Sequence, residues 1–96
     1  MIKHVSVFTL KDKSEINKFV EMLEEVGKTC PLVINSEVGI NISKQPEVGP
    51  HFGDIIQTIE FNNEEDLNAY PTSKEHQKLL VEGPEMETVT AIDYRY

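Results

Sequence analysis

The segment Ile2–Leu10, IKHVSVFTL, is the feature that most constrains the fold of this chain. It is rich in β-branched and aromatic residues, which predicts a β-strand. Side chains alternate across a strand, so one face carries Ile2, His4, Ser6, Phe8 and Leu10, and the other carries Val5, Val7 and Thr9. Both faces hold apolar side chains, and we therefore expect both to be covered in the folded protein.

Apolar residues at helical spacing follow this strand. They predict an amphipathic helix with Asp12 or Ser14 as its N-cap and Glu15 completing a capping box. Gly27 weakens its last turn, and Pro31 cannot continue it. Further strands are predicted at 33–43, 54–61 and 86–94, with a possible bulge or close approach at Gly39 and a loop over 44–53.

Two short helices are predicted between the third and fourth strands. Asn63 is a good N-cap for the first, which carries Leu67 and Tyr70 on one side. Pro71 interrupts it. Thr72 and Glu75 then have the spacing of a second capping box, which predicts a new helix through 73–82.

The order of elements is therefore βαββαβ. It predicts a ferredoxin-like α+β fold, in which an antiparallel sheet carries two helices on one face, formed by one domain of residues 1–96. The helix-free face would expose Val5, Val7, Ile56 and Thr58. We expect that face to pack against the same face of a second copy, giving a homodimer.

The net charge and the cysteine content limit the classes of partner and the cell compartment that we expect. The formal net charge is −8, with 17 acidic and 9 basic residues and Arg95 as the one arginine, so nucleic-acid and anionic-membrane binding are not expected. No apolar run approaches the ~20 residues of a membrane span. Cys30 is the single cysteine, so no internal disulfide forms, and we expect a cytoplasmic protein.

Three stretches together resemble a known family. The opening IKHVSVFTL, the pattern F-x-x-x-x-x-L-x-x-Y leading into HQKLL, and the closing AIDY are similar to the stress-responsive A/B barrel domain. The resemblance covers essentially the whole chain. It implies a dimeric α+β barrel, in agreement with the two-sided strands, and most members of the family have no established activity.

One plant branch of that family is a polyketide cyclase that needs neither metal nor cofactor. Its catalytic pair is similar to Tyr70 and His76, and a histidine similar to His4 lies near its pocket. Ser73 and Lys74 stand where the family usually has His-Pro, and this chain lacks the tryptophan of the cyclase pocket. These differences argue against polyketide cyclisation, and the resemblance implies no cofactor.

His76 and Tyr70 have two interpretations each. Leu79 and Leu80 share the face of His76, so the histidine is either a hydrogen-bonded core residue or a general base in a pocket. Tyr70 is either a packing residue or the donor that stabilises an enolate. Their roles as a catalytic pair follow from the family resemblance.

His4, Ser6 and Gln57 are polar residues on faces that are otherwise apolar. With Phe8 they are predicted to line a small-molecule pocket beneath the helices, or else to satisfy one another and bound water. A metal site formed by His4, His51 and His76 has no supporting ligand spacing, so none is predicted.

Two classes of function stay open. The first is a small-ligand binding or stress-associated protein without catalysis. The second is a cofactor-independent lyase, cyclase or isomerase that acts next to a carbonyl group. A small monooxygenase is a third alternative, by analogy of fold alone.

Overall fold

The structure, a computed structural model, describes residues 1–43 and 53–96. These residues form four strands and three α-helices. They are β1 (Ile2–Leu10), α1 (Ile16–Thr29), β2 (Asn35–Ile40), β3 (Ile55–Phe61), α2 (Glu64–Ala69), α3 (Lys74–Glu82) and β4 (Met86–Arg95). Single turns of 3₁₀-helix precede α1, at Lys13–Glu15, and separate α2 from α3, at Tyr70–Thr72.

The four strands form one antiparallel sheet in the order β2-β3-β1-β4. Strand β1 therefore lies inside the sheet and is paired along both edges. His4 lies opposite Ile59 on one side and Asp93 on the other, and Ser6 lies between Gln57 and Ala91. The ferredoxin-like α+β fold predicted from the order of elements is confirmed.

The core lies between the sheet and the helices. Ile2 and Leu10 at the two ends of β1 are buried, as are Ile55, Ile59 and Phe61 of β3. Helix α1 contributes Phe19, Leu23 and Val26 to the same layer. The predicted helix-facing side of both strands is thus confirmed, and Ile56 on the opposite face is exposed.

Helix α1 begins and ends close to the predicted positions. Asp12 caps the preceding 3₁₀ turn, because its carboxylate accepts from the backbone N–H of Ser14 at 3.0 Å. Gly27 lies in the last turn of the helix, which continues to Thr29. A Cβ atom at Gly27 would lie 2.6 Å from Ser36 Cβ, so the glycine allows α1 to contact β2.

The second strand differs from the prediction. It is shorter than 33–43 and covers Asn35–Ile40. No bulge occurs at Gly39, because the pairing with β3 continues through it without a shift. A Cβ atom there would lie 3.5 Å from Ile56 Cγ2, an ordinary contact, so no close approach requires the glycine either. A register shift occurs instead between Thr9 and Leu10, where β1 pairs with β4. The predicted loop at 44–53 falls almost wholly outside the described residues.

The predicted cap of α3 was also wrong by one residue. Ser73 is the N-cap, and its Oγ accepts from the backbone N–H of His76 at 3.2 Å. Thr72 belongs to the preceding 3₁₀ turn, and its hydroxyl donates to the Ala69 carbonyl at 3.0 Å. Ser73 prevails because its extended backbone, with φ −64° and ψ 149°, places the hydroxyl over the first turn.

The Ser73 cap gives a testable difference between two adjacent hydroxyls. Ser73→Ala should lower the free energy of unfolding by about 1 kcal/mol, the usual cost of losing an N-cap. Thr72→Ala removes a hydroxyl that caps no helix, so the expected loss is smaller, within about 0.5 kcal/mol. Urea unfolding of both variants checks this, and equal losses would contradict the assignment of the cap.

Candidate functional site

A cleft of about 430 Å³ lies between the sheet and helices α1 and α3. All six residues that the sequence proposed for a site line this cleft: His4, Ser6, Phe8, Gln57, Tyr70 and His76. The remaining wall is apolar and includes Phe19, Leu79 and Val89. The volume is in the range of small-molecule sites, which are typically about 300–1,000 Å³.

Tyr70 and His76 contact each other within the cleft. Their ring centroids are 4.9 Å apart with the planes at 73°, an edge-to-face arrangement. The turn between α2 and α3 brings them together, because Ser73 Oγ donates to the Tyr70 carbonyl at 2.7 Å while accepting from the His76 amide. One serine therefore connects the backbones of the two candidate residues.

The environment of His76 favours the neutral ring. Burial lowers the pKa of His76 below its usual value, and the positive charge of His4 in its protonated form acts in the same direction. The Pro71 carbonyl, which accepts from Gln77 Nε2 at 2.8 Å, opposes these effects. Nδ1 of His76 is buried and has no hydrogen-bond partner among the described residues.

Tyr70 is almost fully buried, with 3% of its surface exposed. Burial raises the pKa of its phenol well above the usual value, and the negative charges of Cys30 and Glu75 in their ionised forms add to the shift. The hydroxyl is therefore protonated at neutral pH. Its ring packs on Phe61, at 5.3 Å between centroids, and on His4, at 6.1 Å.

His4 and Ser6 belong to a second polar group in the cleft. His4 Nδ1 is hydrogen-bonded to Asp93 Oδ1 across the β1–β4 ladder. His4 Nε2 lies 2.9 Å from Ser6 Oγ, two residues along the same face of β1. These residues thus line the cleft and are hydrogen-bonded to one another, while their role in binding a small molecule stays a prediction.

Gln57 and Phe8 lie on either side of this group. Gln57 is buried, and its Nε2 donates to the Leu23 carbonyl of α1 at 3.3 Å. Phe8 packs edge-to-face on Phe19, with ring centroids 5.1 Å apart. Gln57 therefore ties the sheet to α1, and the two phenylalanines form the apolar end of the cleft.

The described residues offer no metal centre. Within 1–43 and 53–96, no three His, Cys, Asp or Glu side chains come together as a set of metal ligands. His51, which was a candidate ligand in the sequence, lies outside these ranges. None of the helices in the same ranges has the length and apolar character needed to cross a bilayer.

Two residues of the site were missed by sequence reasoning. Asp93 was assigned only to the closing motif, and Ser73 only to the start of a helix. The signal for Asp93 was its position in the last strand, on the face that carries Ala91 and Val89. Without the register between β1 and β4, nothing in the sequence pairs it with His4.

Comparison with models of known protein families shows which family this chain belongs to. A family model for the stress-responsive A/B barrel domain matches residues 2–96. The chain belongs to this family. The resemblance carried by the opening strand, the Tyr70–His76 region and the closing strand is therefore confirmed.

Solved structures of the same fold support the classification. A dimeric ferredoxin-like protein of unknown function from Bacteroides fragilis is 27% identical, with a TM-score of 0.77 over 99% of this chain and 95% of that chain. A protein from Mesorhizobium loti, described as a member of this same family, is 24% identical, with a TM-score of 0.74 over 99% and 95%. No curated protein matches the chain significantly.

A hydroxynitrile lyase from Passiflora edulis also shares the fold. It is 14% identical, with a TM-score of 0.77 over 97% of this chain and 90% of that chain. At this identity the likeness concerns the fold alone.

The lowered pKa of His76 predicts a pH-dependent contribution to stability. The unfolded chain takes up a proton near pH 6.5 while the native ring is still neutral, so stability present above about pH 6.5 is lost as the pH falls toward the lower native pKa. The free energy of unfolding of the wild type should therefore fall relative to that of His76→Gln between pH 7.5 and about pH 5.5.

Urea unfolding of both proteins across this range measures the difference. His76 is the only residue that differs between the two proteins, so the difference between their curves reports on His76. Parallel curves would show that His76 has the same pKa in the native and unfolded states.

Proposed function

We propose that this stress-responsive A/B barrel protein is a homodimer that binds a small carbonyl-containing ligand in the cleft of each copy. The observation that carries the proposal is the pair of Tyr70 and His76, in contact within the cleft, with a buried ring nitrogen that lacks a partner. An unpaired buried polar atom costs about 1–3 kcal/mol, and a ligand that pairs with it recovers part of this cost.

The charge states of the pair suit a carbonyl compound. At neutral pH Tyr70 holds its proton and can donate to a carbonyl oxygen, whereas His76 is neutral and can accept a proton or a hydrogen bond. An anionic ligand would meet no nearby fixed cation, because the lysines of α3 lie outside the lining of this cleft. A neutral ligand with a carbonyl group and an apolar body therefore fits best.

The binding experiment uses ring signals of labelled histidine and tyrosine. Small aldehydes and ketones are titrated into the protein, and the His76 and Tyr70 ring signals should move together with one class of compound. Tyr70→Phe keeps the packing and removes the donor, so the affinity should fall about 2- to 10-fold, the value of one hydrogen bond. Tyr94→Phe, on the helix-free face, is the matched control and should bind as the wild type does.

Failure of the His76 signals to move with any carbonyl compound would contradict the proposal. Unchanged affinity of Tyr70→Phe for every ligand would also contradict the proposal. In either case His76 and Tyr70 would be packing residues of the core.

Cofactor-independent chemistry next to a carbonyl is the second candidate function. A neutral His76 beside a protonated Tyr70 is the combination that proton abstraction with enolate stabilisation requires. The Passiflora protein that shares the fold is by name a hydroxynitrile lyase. Any turnover found for a ligand of the binding screen should fall about 10²-fold or more in His76→Gln and in Tyr70→Phe.

The helix-free face of the sheet is the proposed dimer interface. Val5, Val7, Ile56 and Thr58 lie on this face beside Ile92, and Ile56 and Ile92 are 44% and 64% exposed in the single chain. Dimeric relatives of the same fold, such as the Bacteroides fragilis protein, support the assembly. Packing two copies face to face would cover these side chains.

A charge placed on that face should separate the copies. Ile56→Lys puts an ammonium group at the centre of the proposed interface, where burial without a partner is costly, so the mass in solution should fall to that of one chain. Val81→Lys, at an equally apolar but 81% exposed position of α3, should leave the mass unchanged. Light scattering of the wild type and both variants at the same concentration measures these masses. A wild-type mass of one chain would contradict the proposal.

A further inference from the structure

Three side chains form a continuous line of hydrogen bonds along the cleft. Asp93 Oδ1 bonds to His4 Nδ1, and His4 Nε2 lies 2.9 Å from Ser6 Oγ. An ionised carboxylate only accepts, so Nδ1 carries the ring proton and Nε2 is an acceptor. Ser6 must then donate its hydroxyl proton to His4, which is the orientation that activates a serine as a nucleophile.

We propose that Ser6 is an acyl-accepting nucleophile, with His4 as its general base and Asp93 as the positioning residue. The substrate class is a small ester with an apolar acyl group, and the reaction is acyl transfer to water. This activity uses a different set of residues from the carbonyl-binding pair, and neither proposal depends on the other.

The sheet holds this group rigidly. His4 and Ser6 are on the central strand β1, and Asp93 lies opposite His4 in the register of β4. The β1–β4 ladder must open before Asp93 separates from His4, and His4 and Ser6 stay together because they are two residues apart on one strand. Groups placed on strands keep a reacting geometry better than groups placed on loops.

The surroundings of Ser6 suit an acyl group. Phe8, Phe19 and Val89 line the same cleft and offer an apolar wall for the acyl chain. Gln57 lies directly opposite Ser6 in β3, and one N–H of its amide bonds to the Leu23 carbonyl. A side-chain amide has two N–H donors, and we assign the second one to the developing oxyanion.

The reaction balances without a further reagent. Ser6 Oγ bonds to the acyl carbon while its proton moves to His4 Nε2, and the bond from the acyl carbon to the leaving oxygen then breaks. His4 returns the proton to that oxygen, which releases the alcohol. Water next attacks the acyl carbon and gives a proton to His4 Nε2. The bond from that carbon to Ser6 Oγ then breaks, and His4 returns the proton to Ser6 Oγ. The products are a carboxylic acid and an alcohol.

The test uses p-nitrophenyl butyrate with the full chain. The release of p-nitrophenolate is followed, and a sample quenched in acid is digested after Lys3 and Lys11, so that residues 4–11 form one peptide. We expect one butyryl group on Ser6. The rate should fall about 10²-fold or more in Ser6→Ala and in His4→Gln, as expected when a nucleophile or its base is lost.

Two further variants separate chemistry from folding. Ser36→Ala removes another buried hydroxyl, one that has no hydrogen-bond partner among the described residues, and should react as the wild type does. Ser6→Cys should regain the acyl label as a thioester, since it keeps a nucleophile at the same place. A wild-type rate in Ser6→Ala, or butyryl groups found only on lysines or on His4, would overturn the proposal.

Asp93 is tested by its effect on the His4 ring. In the wild type, nitrogen chemical shifts should show the proton of the neutral ring on Nδ1. Asp93→Asn offers a donor as well as an acceptor, so the other tautomer should appear and the rate should fall about 10-fold or more. An unchanged tautomer together with an unchanged rate would remove Asp93 from the group.

Discussion

The double pairing of strand β1 is the constraint on which the rest of the structure depends. Both ladders are antiparallel, and their register fixes which side chains face the helices. A slip by one residue would turn every one of those side chains to the other face. The buried ends, Ile2 and Leu10, oppose such a slip, because it would move both from the core to the helix-free face. The polar residues between them are therefore held in the cleft by apolar burial at either end.

The second half of the site depends on a turn. Between α2 and α3 the chain makes one turn of 3₁₀-helix at Tyr70–Thr72, and Pro71 allows it because the first turn of a helix does not use that N–H. Ser73 then bonds to both Tyr70 and His76 through their backbones. The side chain of Tyr70 enters the core, and His76 follows one turn later against its edge.

The sequence predicted the parts of the fold that repeat locally. Alternation in β1 and β3 and the apolar stripe of α1 are periodic signals, and each of them placed the correct face toward the core. The cap of α3 was misplaced because Thr72 and Ser73 are adjacent and both have good capping chemistry. Only the backbone conformation of the preceding turn distinguishes them, and that conformation depends on how Tyr70 packs.

Most of the residues of the site could be predicted from the sequence, but the hydrogen bonds between them could not. The residues on β1 and β3 followed from polar side chains on apolar faces, and the Tyr70–His76 pair followed from the family resemblance. The bond between His4 and Asp93 spans nearly the whole chain, so it depends on the strand order and on the register of β4. No local sequence pattern reveals the strand order or the register, which is why Asp93 was missed.

The cleft has two parts that differ in whether their polar atoms already have hydrogen-bond partners. In the first part, Asp93, His4 and Ser6 satisfy one another, so this group gains little from a ligand that only offers hydrogen bonds. In the second part, burial keeps His76 neutral and Tyr70 protonated, and one ring nitrogen lacks a partner. A binding ligand is therefore selected by the His76 end, where an unmet bond costs about 1–3 kcal/mol. Reactive chemistry at the Ser6 end instead requires a bond-forming electrophile, because only a covalent step makes use of a hydroxyl that is already paired.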